Sequence, residues 1–332
     1  MPLNLKNGCF LIERGPVALF RFSGPDHVRY LHNRLTQEVK SLAAGKGAQG
    51  LCLSPNGRIQ AQLIILKDEN SIDILTGPLT SMQHSAEVGS AEVKSAILQF
   101  KVADQLECQD LSADILQLTL LGAGVKSLAS ILGIELNATE KFSHFTKEFD
   151  GAALRMINNS VLGLDALEIV GASEAINQLK SMSAMFGVLE LDASSVELLR
   201  VLSREWRFGV DVDDKTLAAE VALDELVSFK KGCYPGQEVV EMSISRGRPN
   251  RSLELFTTKA KVVVGSEVQA GEKSVGKITS AVYLEDEESS FFLTRLKTEF
   301  LSSTDLAVDG TACRIVPTEE IVSRIAPIYC FR

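Results

Sequence analysis

Lys230-Lys231-Gly232-Cys233-Tyr234-Pro235-Gly236-Gln237-Glu238 sets one thiol among two ammonium groups, two glycines, an amide and a carboxylate. An unpaired cysteine usually behaves as a small buried hydrophobe, but the polar flanks here argue against that, since Phe229 is the nearest apolar residue upstream. Gln237 to Ser245 is expected to form a short helix. That puts Cys233 just ahead of a helix N-terminus, where the macrodipole and the lysines favour thiolate over thiol. The glycines let the chain turn tightly and let a ligand approach.

Charge reverses across this stretch. Residues 211–225 hold six acidic side chains against Lys215, whereas 229–251 hold Lys230, Lys231, Arg246, Arg248 and Arg251 against Glu238 and Glu241. The arginines downstream of the thiol helix make a docking point for an anionic tail or a phosphate backbone. Beyond Arg251, short strands at 253–258, 261–264, 275–284, 290–296 and 312–316 alternate with glycine and acidic turns, the pattern of a small all-β barrel or sandwich.

Upstream, residues 9–22 read as two strands split by Gly15-Pro16. Asp26 then caps a helix with the stripe Val28, Leu31, Leu35 and Val39. His27 and His32 are assigned to its polar face rather than to a metal. Asn56-Gly57 marks a hairpin between 51–53 and 59–66, and Arg58 beyond the turn is a candidate for a ligand carboxylate. Ile72–Leu75 adds a strand, 79–98 a helical stretch interrupted by Gly89, and Lys101–Cys108 another strand. Strand–glycine–helix units at 115–132 and 167–186 form a weak internal repeat, as expected of paired α+β modules whose helices cover one face of a sheet. Gly122-Ala123-Gly124 is not a dinucleotide loop, because Ser127 stands where its third glycine belongs. A further amphipathic helix is expected over 194–206.

The whole chain bounds the function. Its 332 residues suit two or three domains. A net charge of −9 argues against general nucleic-acid binding. Cysteines at 9, 52, 108, 233, 313 and 330 have no metal-ligand spacing, so no stably bound metal is expected. The start has neither a secretory nor an organellar pattern, and no apolar run reaches the ~20 residues of a membrane span. The expectation is a cytoplasmic protein with reduced thiols.

Lys231-Gly232-Cys233-Tyr234 followed by Gly236-Gln237-Glu238 resembles the signature of the YgfZ-type proteins, folate-binding relatives of the glycine cleavage T protein (aminomethyltransferase) that support iron–sulfur cluster assembly. Phe22 to Asp26 with Leu31 and Thr36, Asn56-Gly57-Arg58, Glu220, Ser228-Phe229-Lys230, and Arg246-Gly247 with Arg251 extend the resemblance over most of the chain. Met242, Val17 and Leu198 depart from it, standing where the family has an arginine and two tryptophans.

The resemblance implies an α+β fold: a T-protein-like ring of interwoven modules over 1–250, with a C-terminal all-β barrel over 251–332. It implies tetrahydrofolate or a derivative as ligand. The folate-site candidates are Asp26, Arg58, Glu168, Glu220, Tyr234 and Arg246. Cys233 is the working thiol, able to ligate iron transiently or form a mixed disulfide, with Lys230 and Lys231 lowering its pKa and Gln237 and Glu238 orienting the loop. The partners implied are iron–sulfur clients or assembly proteins, with an indirect tRNA link through modifying enzymes. A folate-dependent aminomethyl- or methyltransferase, and a non-catalytic folate-binding module, are the alternatives.

Overall fold

The computed structural model describes residues 8–76, 89–136, 140–161, 163–245, 249–317 and 319–321. In chain order the elements begin β1 Phe10–Pro16, β2 Leu19–Ser23, α1 His27–Arg34, β3 Lys46–Leu53, β4 Ile59–Lys67, β5 Ile72–Thr76, α2 Ser90–Leu98, β6 Glu107–Asp110 and β7 Ile115–Leu121. They continue α3 Val125–Ile131, β8 His144–Phe149, β9 Ala152–Val161, β10 Leu164–Ala172, α4 Ser173–Met185, β11 Leu189–Glu190, α5 Ala193–Leu202 and α6 Gln237–Ser245. The last strands are β12 Arg251–Thr258, β13 Glu267–Ala270, β14 Lys273–Leu284, β15 Ser289–Lys297, β16 Leu306–Val308 and β17 Thr311–Ile315.

The described strands form three sheets. One has the order β11-β1-β7-β10-β9-β8, another β3-β4-β5-β2-β6, and β12-β15-β14-β13-β16-β17 closes into a barrel. The turn at Gly15-Pro16 does not make a hairpin: it sends β1 and β2 into different sheets, which interweaves the two modules. Both expected strand–glycine–helix units lie in the six-stranded sheet. Their helices cover one face of it, where Leu118, Leu120, Leu167 and Ile169 pack against Val125, Leu128, Ile176 and Leu179. The α+β architecture with a terminal barrel is therefore the one expected.

Side-chain alternation defines the opposite face. At one end Phe10, Ile12, Leu121 and Ala166 join a central core with Leu51, Leu53 and Ile59 of the five-stranded sheet, and with α5, α6 and the barrel. At the other end Ile157 and Val170 meet Val17, Leu66 and Leu75. The sheets are tied there by Arg155, which donates to Asp68 and to Asp73, both at 2.8 Å.

Some expectations need correction. The helix α1 stops at Arg34, with Leu35 already extended, although Leu35 and Val39 are buried as expected. His32 is not on a polar face; it is 4% exposed. Residues 101–106 are not strand, because β6 starts only at Glu107. The α5 helix ends at Leu202, closed by Arg204 in the left-handed region. Val263 and Val264 are exposed in a connection rather than a strand. The helical stretch expected from 79 is described only from Gly89 onward.

Candidate functional site

The thiol loop is built between α1, the β3–β4 hairpin and α6. Cys233 is exposed, immediately before the turn that starts α6. Gly236 takes φ +84, and a Cβ on it would stand 2.6 Å from the Ser54 carbonyl oxygen and 2.8 Å from the Gly57 Cα. The hairpin and the loop thus touch through two glycines, a packing distance that no side chain permits.

Lys231 turns inward. It is 8% exposed and donates to the carbonyl oxygens of His32 and, at 2.5 Å, Leu35, the last turn of α1, where a cation is favoured by the helix dipole. Its ammonium also lies 5.1 Å from the Tyr234 ring centroid. Burial pulls the Lys231 amine down to about 8. Lys231 is accordingly an anchor of the loop as well as a charge near it. Lys230 is exposed.

Gln237 hydrogen-bonds within the loop and along α6. Its Oε1 accepts from the Tyr234 N–H at 3.3 Å, and its Nε2 donates to Glu241 at 2.7 Å. Glu238 lies exposed in the first turn of α6, where its charge suits the dipole; no hydrogen bond to the loop is made by it among the described residues. Tyr234 packs in the central core, and burial pushes its phenol up to about 12.

Glu168 belongs to a different place. On the inner face of the six-stranded sheet, between the two apolar ends, runs a band of polar side chains from four strands. Glu168 accepts from Gln117 Nε2 at 2.9 Å, Thr119 Oγ1 at 2.5 Å and Asn159 Nδ2 at 3.1 Å. Arg14 Nε donates to Thr119 Oγ1 at 3.0 Å. Glu168 is 2% exposed, and Gln117 Oε1 is buried with no hydrogen-bond partner among the described residues. A buried acceptor left unpaired costs about 1–3 kcal/mol, a cost that any donor reaching this atom would remove.

The remaining candidates are held in other ways. Asp26 accepts from the Gln105 N–H at 2.8 Å and pairs with Arg29, which keeps its carboxyl below the usual range. It makes no side-chain cap on α1. Arg58 donates to the Lys215 carbonyl at 2.9 Å, fastening the hairpin to the segment before the 3₁₀ turn Ala218–Glu220. Glu220 is paired with Arg295 of β15 at 3.2 Å, but burial outweighs that attraction and raises its pKa. Arg246, like Arg248, lies outside the described residues.

The structure thus gathers Lys231, Cys233, Tyr234 and Gln237 with the Arg58 hairpin, and gives Glu168 a separate setting. Arg14, Gln117, Thr119, Asn159 and Arg295 were not foreseen. The signal for two of them was present, since Gln117 and Thr119 interrupt an apolar strand at period two. Among the described residues no group of three or more His, Cys, Asp and Glu stands together to hold a metal ion. None of the helices among them is long and apolar enough to cross a membrane.

Comparison with known proteins supports the fold. No family model matches the chain. A chloroplastic protein of Arabidopsis thaliana described as a putative transferase is 24% identical over 278 residues, covering 82% of this chain; the chain spans only 62% of that relative's length. An aminomethyltransferase of Koribacter versatilis is 22% identical, covering 99% of this chain and 86% of the relative. The crystal structure of the glycine cleavage system aminomethyltransferase T of Bartonella henselae superposes with a TM-score of 0.81 at 16% identity, covering 99% of this chain and 89% of that one. The chain has that fold.

Proposed function

We propose that this chain is a folate-binding accessory protein for the assembly or repair of iron–sulfur clusters in client enzymes, tRNA-modifying enzymes among them, and that it engages them through Cys233. The observation that carries the reading is the exposed thiol on a loop whose polar neighbours Lys231 and Gln237 are engaged in holding it. A thiol presented outward on a fixed loop suits chemistry on a partner. The cluster is cargo here: it takes four ligands, and one thiol leaves the others to the client.

The acceptors of the polar band support a pterin as the ligand. Glu168 and the unpartnered Gln117 Oε1 are acceptors, and the amino and ring N–H groups of the pterin are donors. Bound tetrahydrofolate would supply a carrier for a one-carbon unit.

In a cell that depends on this protein, Cys233→Ala is expected to lower the activity of cluster-containing enzymes; undiminished activity would remove the thiol from the mechanism. Tetrahydrofolate binding that is unchanged in Cys233→Ser would make the folate site independent of the thiol.

A folate-dependent aminomethyl- or methyltransferase is the second reading. The likeness to a putative transferase and an aminomethyltransferase favours it, and so does the setting of one carboxylate: Asp26 and Glu220 are committed to the cations of Arg29 and Arg295, whereas Glu168 accepts from the neutral groups of Gln117, Thr119 and Asn159. One-carbon transfer from an amine donor to tetrahydrofolate, abolished in Glu168→Gln, would establish the enzyme.

A further inference from the structure

Arg14 enters the polar band at a bulge in β1. The pairing with β7 sets Ile12 opposite Thr119 and Glu13 opposite Leu118, then resumes with Gly15 opposite Gln117, which leaves Arg14 as the extra residue. A bulge re-aims the side chain it carries, and here Arg14 Nε donates to Thr119 Oγ1 at 3.0 Å. Thr119 Oγ1 in turn donates at 2.5 Å to Glu168 Oε2, the oxygen that also accepts from Gln117 Nε2 at 2.9 Å. Gly15 offers no side chain to the amide across from it, whose Oε1 is buried without a hydrogen-bond partner among the described residues.

The guanidinium is thus held through Nε alone. Its Nη1 and Nη2 make no hydrogen bond or ion pair among the described residues. The neighbouring Glu13 is taken by Lys180, and Glu168 is met only through the Thr119 hydroxyl. Arg21, Arg155 and Arg200 each close their fork on a carboxylate. Arg14, half-buried on the face that carries Glu168, keeps its fork open.

We propose that Arg14 is the specificity residue of the band: together with Gln117 and Glu168 it reads a lactam edge, a ring N–H beside a ring carbonyl. The acceptors take the N–H, and the Arg14 fork donates to the carbonyl oxygen. In a pterin that edge is N3–H and O4, so the site selects a 4-oxo pterin over a 4-amino one. The inference rests on the polar band being the folate site of the proposed function.

The sense of the discrimination follows from the chemistry. Exchanging the carbonyl for an amino group turns the acceptor at C4 into a donor and strips the proton from N3. Both contacts are then reversed: the guanidinium faces an amino group, and the carboxamide and carboxylate oxygens face a ring lone pair. A site whose polar groups are fixed rejects an analogue that leaves them unpaired. An Arg14 that merely tethered β1 to Thr119 would be indifferent to the exchange.

The test is calorimetry on the full chain with tetrahydrofolate and tetrahydroaminopterin, which differ in carrying a 4-oxo or a 4-amino group. The wild type is expected to bind tetrahydrofolate at least about tenfold more tightly. Arg14→Met is expected to weaken tetrahydrofolate about tenfold and to leave the 4-amino analogue within about twofold, so that the preference falls by most of that factor. Arg14→Lys keeps the charge and the stem but not the fork, and is expected to lose the preference in the same sense, which is readable even if Arg14→Met folds poorly. A wild type that binds the two alike, or a preference that both variants retain, would overturn the role of Arg14 while the folate reading stands. A wild type that binds neither ligand removes both.

Discussion

Gly57 occupies the side-chain space missing at Gly236, and Val239 of α6 that missing at Gly57: a Cβ on Gly236 would stand 2.8 Å from the Gly57 Cα, and a Cβ on Gly57 would stand 2.8 Å from the Val239 Cβ. Both glycines have positive φ, at +71 and +84. Gly236→Ala therefore meets a backbone oxygen and a strained dihedral together, and is expected to cost more than about 1 kcal/mol. Chemical denaturation measures that cost. Thiol labelling should also accelerate at Cys233, because the loop lifts from the hairpin. Unchanged stability would mean that the hairpin does not hold the loop.

Glu168 satisfies three donors at once, so Glu168→Leu orphans Gln117 Nε2, Thr119 Oγ1 and Asn159 Nδ2. The expected loss of stability is on the order of 1–3 kcal/mol or more. Glu168→Gln preserves the packing and is the better probe of binding: calorimetry should find tetrahydrofolate affinity reduced about tenfold, the size of one charged hydrogen bond. Equal affinity would move the folate site away from the band.

The contrast between these two places explains what the sequence makes legible. The thiol loop is local, with its lysine, glycines, cysteine and glutamine inside nine residues, so its shape can be read from spacing. The Glu168 band is assembled from residues 14, 117, 119, 159 and 168, and only the strand order β1-β7-β10-β9 brings them together. By contrast β4 announces itself by alternation, every second residue from Ile59 to Ile65 being buried, whereas in β3 only 51–53 could be read as strand and the glycine-rich residues before them suggest a bend. The hairpin β8–β9 carried a readable turn, Asp150-Gly151 with φ +49 and +82, but went unforeseen beside the polar Asn158-Asn159. Val262-Val263-Val264 misled in the other direction: only Val262 is buried, and a β-branched run needs a ladder partner to become a strand. The burial of His32 is not legible in the helical stripe, since Lys231, which donates to its carbonyl, is distant in sequence and Glu38, 3.0 Å from its Nδ1, comes after the helix has ended.

Asp211 is the joint between α5 and the barrel. Its Oδ2 accepts from Arg200 Nη1 at 2.8 Å and the Arg207 N–H at 3.0 Å, and its Oδ1 accepts from Thr279 at 2.6 Å and Ser280 at 2.7 Å. Asp211 is 1% and Arg200 4% exposed. Asp211→Ala leaves a buried guanidinium short of its partner, and the expected destabilisation is about 3–5 kcal/mol. A loss below about 1 kcal/mol, within the range of exposed pairs, would show that the barrel does not depend on this joint.

Lys231 makes stability depend on pH in an unusual direction for a lysine. Its amine falls from 10.5 to about 8 on burial, so between these values the folded chain holds fewer protons at this site than the unfolded chain. Unfolding free energy rises with pH wherever the unfolded state binds more protons. This group's contribution therefore increases from about pH 8 to 10.5 and is flat below about 8, where both states carry the charge. Lys231→Met removes the titration and orphans the His32 and Leu35 carbonyls. Denaturation curves for the two proteins should then diverge across that window, the wild type gaining relative to the variant as the solution becomes more alkaline. Parallel curves would mean that Lys231 keeps an ordinary amine in the fold, and that the loop is anchored by something other than a buried ammonium.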